Sequence, residues 1–129
     1  MAEPGPGSSA DPEEVRAKAL DVFRTIGASA VQSNLERIAR LEEAVTAADE
    51  GRLDQPGRDR AGQLAHTIAG SAGTFGFSAA TGPAHQLEDL FRMDRRGVDE
   101  LGSAELGTAR QLLAELRAVL AAAPEEDDF

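Results

Sequence analysis

Apolar residues recur at helical spacing in five stretches of the chain, and no stretch alternates convincingly at the two-residue period of a strand. The first stripe is Val15, Ala19, Val22, Phe23 and Ile26, and the second is Val31, Leu35, Ile38, Leu41 and Val45. A third runs through Ala61, Leu64, Ala65, Ile68 and Ala72, a fourth through Ala84, Leu87, Leu90 and Phe91. The last holds Ala109, Leu112, Leu113, Leu116, Val119 and Leu120. These patterns predict helices over about 11–26, 30–48, 58–72, 80–95 and 104–122.

Local chemistry sets the expected boundaries. Asp11-Pro12-Glu13-Glu14 combines a capping side chain, a proline suited to a first turn and acids that favour the positive helix end. Gly27 breaks or bends the chain, and Ser29 with Gln32 has capping-box spacing for a second start. Gly82-Pro83 allows the regular fourth helix to begin as late as Pro83. The joints are short and rich in glycine, which favours antiparallel neighbours. The expected fold is therefore all-α: an antiparallel four-helix bundle with an additional N-terminal helix. Residues 1–10 read as a disordered tail, 11–123 as the bundle, and 124–129 as an acidic tail or the start of a linker.

Composition narrows the function. At 129 residues the chain fits one domain, and without cysteine it has neither a disulfide framework nor a thiolate metal site. The net charge of -10 is concentrated at the ends: four acids lie in residues 1–14 and four in 125–128. The remainder holds 15 acids against 13 bases, too balanced for phosphate-backbone binding. Tryptophan and tyrosine are absent, which removes the usual base-stacking surfaces. No secretory signal and no membrane-spanning apolar run is present.

The stretch most informative about chemistry is LAHTIAGSAGTFGFSAATGPAHQLEDLF, from Leu64 to Phe91. His66 lies two residues from both Leu64 and Ile68, about 200° around the helix, and so points away from the predicted core. Gly62, Gln63, Ala69, Gly70 and Gly73 share or border its side. Glycine within a helix costs roughly 1 kcal/mol relative to alanine. These glycines fit equally a surface that another molecule must approach and a fraying helix end. On the next helix His85 and Glu88 are three apart and share an edge. On spacing alone Glu88 reads best as a solvated surface acid and His85 as a boundary histidine. If that helix packs beside the third, a carboxylate accepting from Nδ1–H leaves Nε2 of His66 as a free nucleophile. Phe75 and Phe77 read as plugs closing one end of the bundle. A metal site on His66, His85 and Glu88 is a weaker reading, because no dedicated metal motif accompanies them.

The run AHTIAGSAGTFGF followed by HQLEDLF resembles histidine-phosphotransfer (HPt) domains, most closely the phosphoryl-accepting first domain of chemotaxis-type histidine kinases. The close match covers about 30 residues: His66, Gly70, the small residues 71–73, Thr74-Phe75-Gly76-Phe77, and then His85 and Glu88. The resemblance implies that His66 accepts the phosphoryl group, that Glu88 orients it and that His85 gives support. It implies a docking surface including Gln63, Ala69, Gly70 and Gly73. Its partners would be a histidine kinase or hybrid kinase as donor and a response-regulator receiver domain. No cofactor is expected on the chain, with magnesium on the receiver. A cytoplasmic, bacterial phosphorelay monomer is the implied setting. The chain has no GxxxxGK[ST] loop, so its phosphoryl group must come from elsewhere. One departure stands out: the family's lysine, three residues after the histidine, is Ala69 here, and Arg58, Arg60 or Arg92 could substitute although nothing in the sequence places them. That loss leaves a receiver-binding module with weak or no transfer as the alternative, and a purely structural bundle as a further one. It also predicts that Ala69→Lys strengthens phosphoryl handling.

Overall fold

The computed structural model describes residues 11–92 and 101–122. It contains four helices: α1 (Pro12–Asp49), α2 (Gln55–Thr74), α3 (Thr81–Arg92) and α4 (Ser103–Ala121), with a single 3-10 turn, Ser78–Ala80, leading into α3. Each helix packs its backbone close to two neighbours, in the ring α1, α2, α3, α4 and back to α1, around a core shared by all four. No strand occurs among the described residues. The all-α bundle read from the apolar periodicity is the observed architecture. The predicted tails at 1–10 and 124–129, and residues 93–95 of the predicted fourth helix, lie outside the described residues.

The N-terminal half departs from expectation. The first two predicted helices are one, because α1 runs through Gly27 and Ser29 without a break. A single interior glycine costs only about 1 kcal/mol, which a helix of this length absorbs. The additional N-terminal helix is thus the first half of α1. Its apolar stripe does not meet the core: Val15 is 53%, Val22 58% and Ile26 50% exposed. The reason is length. At 1.5 Å per residue α1 is about 57 Å long and its neighbours about 30 Å or less, so its buried positions begin only at Asn34. At its start Asp11 does cap, accepting from the Glu13 amide at 3.1 Å.

The other boundaries follow from the backbone. Helix α2 begins at Gln55 rather than Arg58, because Asp54 caps it by accepting from the Gly57 amide at 2.8 Å, with Pro56 in the first turn. Pro83 sits in the first turn of α3, where its missing N–H leaves no gap. The Thr74-Phe75-Gly76-Phe77 run ends α2 in a Schellman motif. Gly76 takes φ +88°, the Phe77 amide donates to Ala72 O at 2.9 Å, and the Gly76 amide to Gly73 O at 3.5 Å. The turn drives Phe77 into the core at 5% exposure, whereas Phe75 is only partly buried and meets Phe23 of α1, ring centroids 5.4 Å apart. A similar cap at Gly51, φ +70°, ends α1.

The core joins Ile38, Leu41 and Val45 of α1 to Ile68 of α2, Leu87 and Phe91 of α3, and Leu113 and Leu116 of α4. Helix α2 supplies mostly alanine, at 61, 65, 69 and 72, which lets its neighbours approach. Between α1 and α2, buried Asn34 donates to Ser71 Oγ at 3.2 Å and accepts from Arg37 at 2.7 Å.

Candidate functional site

His66 stands midway along α2 with 56% of its side chain exposed, while Ile68 and Ala65 on the same helix are fully buried. Leu64, expected in the core, is only half-buried, at the edge of a groove between α1 and α2 that also involves Leu53 and Ala61. None of the three residues expected to carry the chemistry lines that groove.

The tight packing of α3 on α2 brings its polar edge against the imidazole. Glu88 places both carboxylate oxygens 3.1 Å from His66 Nδ1. His85, one turn earlier, reaches Glu88 Oε1 with its own Nδ1 at 3.3 Å. The two rings lie 6.5 Å apart, edge to face. Glu88 is thus the hub of the cluster, with its side chain only 14% exposed. Partial burial pushes its pKa up, but hydrogen bonds from His66 and His85 and the charges of His66 and Arg92 outweigh that and hold it below the ordinary carboxylate value. It therefore stays an anion and accepts from both rings. When the His66 ring is neutral, this arrangement keeps its proton on Nδ1, donated to the carboxylate, and leaves the lone pair on Nε2.

Arg92, one turn after Glu88, is one of the three arginines that could stand in for the missing lysine, and the sequence did not place it at this site. Its Nη1 donates to Glu88 Oε2 at 2.6 Å and its Nη2 to Gln63 Oε1 at 2.7 Å, so it bridges α3 to α2. The i,i+4 order of Glu88 and Arg92 was a legible signal for the first bond. The second depends on helix packing and was not legible.

Of the residues expected at a docking surface, Gln63, Gly70 and Gly73 are exposed and Ala69 is not. Ala69 is 4% exposed. The sequence reading allowed α2 one buried stripe, but α2 touches both α1 and α3 and buries a second row through 58, 62, 65, 69 and 72. A Cβ on Gly70 would meet nothing within 4 Å, whereas one on Gly73 would stand 3.4 Å from Thr81 Oγ1. Gly70 thus keeps open ground beside the histidine, and Gly73 serves the approach of the α3 start. Among the described residues no group of three His, Asp or Glu side chains is arranged to hold a metal ion, and no helix is long and apolar enough to cross a membrane.

The model of one protein family, the Hpt domain, matches residues 26–126. Comparison with curated proteins and comparison with solved structures each gave no match.

Proposed function

The chain belongs to the Hpt domain family, and from that premise we propose that His66 is its phosphoryl carrier, with Glu88 as the residue that orients it and His85 in support. Family membership makes this a histidine-phosphotransfer module of phosphorelays, whose partners are kinases and receiver domains. The observation that carries the residue assignment is an exposed imidazole whose Nδ1 is anchored to a carboxylate held in its anionic form.

The chemistry follows from that anchor. Nε2 of His66 attacks the phosphorus of a donor, either the aspartyl phosphate of a receiver or the γ-phosphoryl of ATP held by a kinase. The new N–P bond forms as the P–O bond breaks, and its electron pair leaves with the donor oxygen. The ring keeps its Nδ1 proton and becomes cationic, and Glu88 offsets that charge. In the forward transfer a receiver carboxylate oxygen attacks phosphorus, the N–P bond breaks and its pair returns to Nε2. The chain supplies the nucleophile and its orientation, and the receiver supplies the magnesium its own aspartate chemistry needs. A cytoplasmic location suits such partners. Exposed Gly70, beside His66, gives a receiver room to approach.

Incubation with a phosphorylated receiver tests the assignment. Acid-labile label should appear on wild type at position 66 and be abolished by His66→Gln. Equal labelling of His66→Gln overturns it, and tight receiver binding without label transfer makes the chain a docking module instead.

A further inference from the structure

The missing lysine poses an electrostatic problem. A phosphoryl group brings up to about two negative charges, and Glu88 already places one beside His66. With alanine buried at position 69, α2 puts no cation one turn after the histidine. The structure places one elsewhere. Arg92 approaches from α3 and lies against α2 one turn before His66, at Gly62 and Gln63. Its Nη1 and the His66 Nδ1 contact the same oxygen, Glu88 Oε2.

Two features show that this is more than an ordinary i,i+4 ion pair. The guanidinium is gripped by groups on two helices, Glu88 of α3 and Gln63 of α2. Its stem also crosses bare backbone: a Cβ on Gly62 would lie 2.5 Å from Arg92 Cγ and 2.7 Å from its Nε. Gly62, in the middle of α2, is therefore the notch through which Arg92 reaches the site. The two bonds engage only two of the five guanidinium N–H donors, and the side chain remains 40% exposed.

We propose that Arg92, seated over Gly62, supplies the positive charge for the phosphoryl group on His66, replacing from α3 the lysine that the resemblance places at position 69 of α2. This rests on His66 being the phosphoryl acceptor. With Arg92 in place, the Glu88 charge is balanced before the phosphoryl group arrives, and the remaining N–H groups can turn to its oxygens. An arginine suits this role because its planar fork holds Glu88 and Gln63 together.

Phosphoramidate tests the proposal without a protein donor. Nε2 forms the new N–P bond as ammonia leaves with the electron pair of the old one. The rate of label appearing at position 66 is measured, with the tautomer of His66 read from its ring nitrogen signals. Arg92→Gln should slow labelling several-fold, the scale of one charge pair at a wet surface, and leave the Nδ1–H tautomer in place. Arg92→Lys should recover most of the rate. Gly62→Ala, which keeps the charge but displaces the stem, should be slowed as Arg92→Gln is, without loss of thermal stability. The double variant should be no slower than either single one. Wild-type rates in Arg92→Gln with labelling intact at His66 overturn this proposal alone. So does a shift of tautomer that accompanies the lost rate, because Arg92 would then act only through Glu88. A wild type that takes no label at position 66 overturns both this proposal and the one beneath it.

Discussion

Glu88 links the acid-base behaviour of this surface to its geometry. Its folded pKa lies below the ordinary value because two imidazoles donate to it and Arg92 lies beside it, against the opposing effect of burial. A carboxyl group depressed in the folded state contributes stability that is fully present above its unfolded pKa, about 4.3. That contribution is lost as the pH falls through the lower folded value. Melting temperature measured against pH should therefore fall less steeply below about pH 4 in Glu88→Gln than in wild type. Equal acid slopes would show that the bonds at Glu88 do not stabilise the fold. In phosphotransfer, Glu88→Gln should keep the nucleophile but slow labelling by about 10- to 100-fold, the range seen for residues that orient a ligating or reacting histidine. Position 69 carries a different expectation from the one the family resemblance suggested. Because Ala69 is buried in the row that meets α3, Ala69→Lys forces a long side chain into a packed interface. It should cost about 1–3 kcal/mol in urea denaturation, with no gain in labelling that survives correction for folded fraction.

At the scale of elements, the end of α2 shows why a phenylalanine-glycine-phenylalanine run accompanies the histidine. Gly76 takes a left-handed conformation, which closes the cap and sends Phe77 into the core. Gly76→Ala should destabilise the fold by about 1–2 kcal/mol, the penalty for an L-residue in that region, as read by denaturant midpoint at unchanged slope. Helix α1 divides into two unequal parts. From Asn34 onward it holds buried core positions, whereas before Ala30 its main tertiary contact is Phe23 on Phe75. Removing residues 1–22 should thus shift the melting temperature by only a few degrees, since about 1 kcal/mol corresponds to roughly 4–8 °C in a domain of 60–100 residues. A large drop would show that the exposed stripe contributes to the folded state in solution.

For the molecule as a whole, the ring of four helices separates stability from chemistry. The core closes on Ile38, Ile68, Leu87, Phe91 and Leu116, and the far side of the ring is tied by Arg117 to Glu42 at 2.9 and 2.5 Å. The histidine cluster lies on the outer face of the α2–α3 pair and contributes no apolar core. His66→Gln should accordingly leave the melting temperature nearly unchanged while abolishing labelling. With no nucleotide loop in its sequence, the chain should take no label from ATP and magnesium alone, and should take it once a kinase or phosphorylated receiver is added.

The sequence by itself determined that the fold is helical, which faces of the second half of α1, of α3 and of α4 carry the bundle core, and that His66 points outward, because all three follow from a period of 3.6 residues acting on an apolar pattern. Capping at Asp11 was equally local. The pair His85 and Glu88 was legible as an edge of one helix, and its relation to His66 was legible only on the condition that the two helices pack side by side, a condition the family pattern favoured. Tertiary structure decided what depends on the distances between helices. It joined the first two predicted helices, because a glycine and a serine with capping spacing do not outweigh the hydrogen bonds of a continuous helix. It left the first apolar stripe exposed, because no other described helix extends alongside it. It buried Ala69, because α2 has two neighbours and periodicity alone suggested one. It also carried Arg92 across Gly62, thirty positions away in the chain, to Gln63 and the Glu88 carboxylate that holds the histidine, a crossing that exists only once α3 has packed against α2.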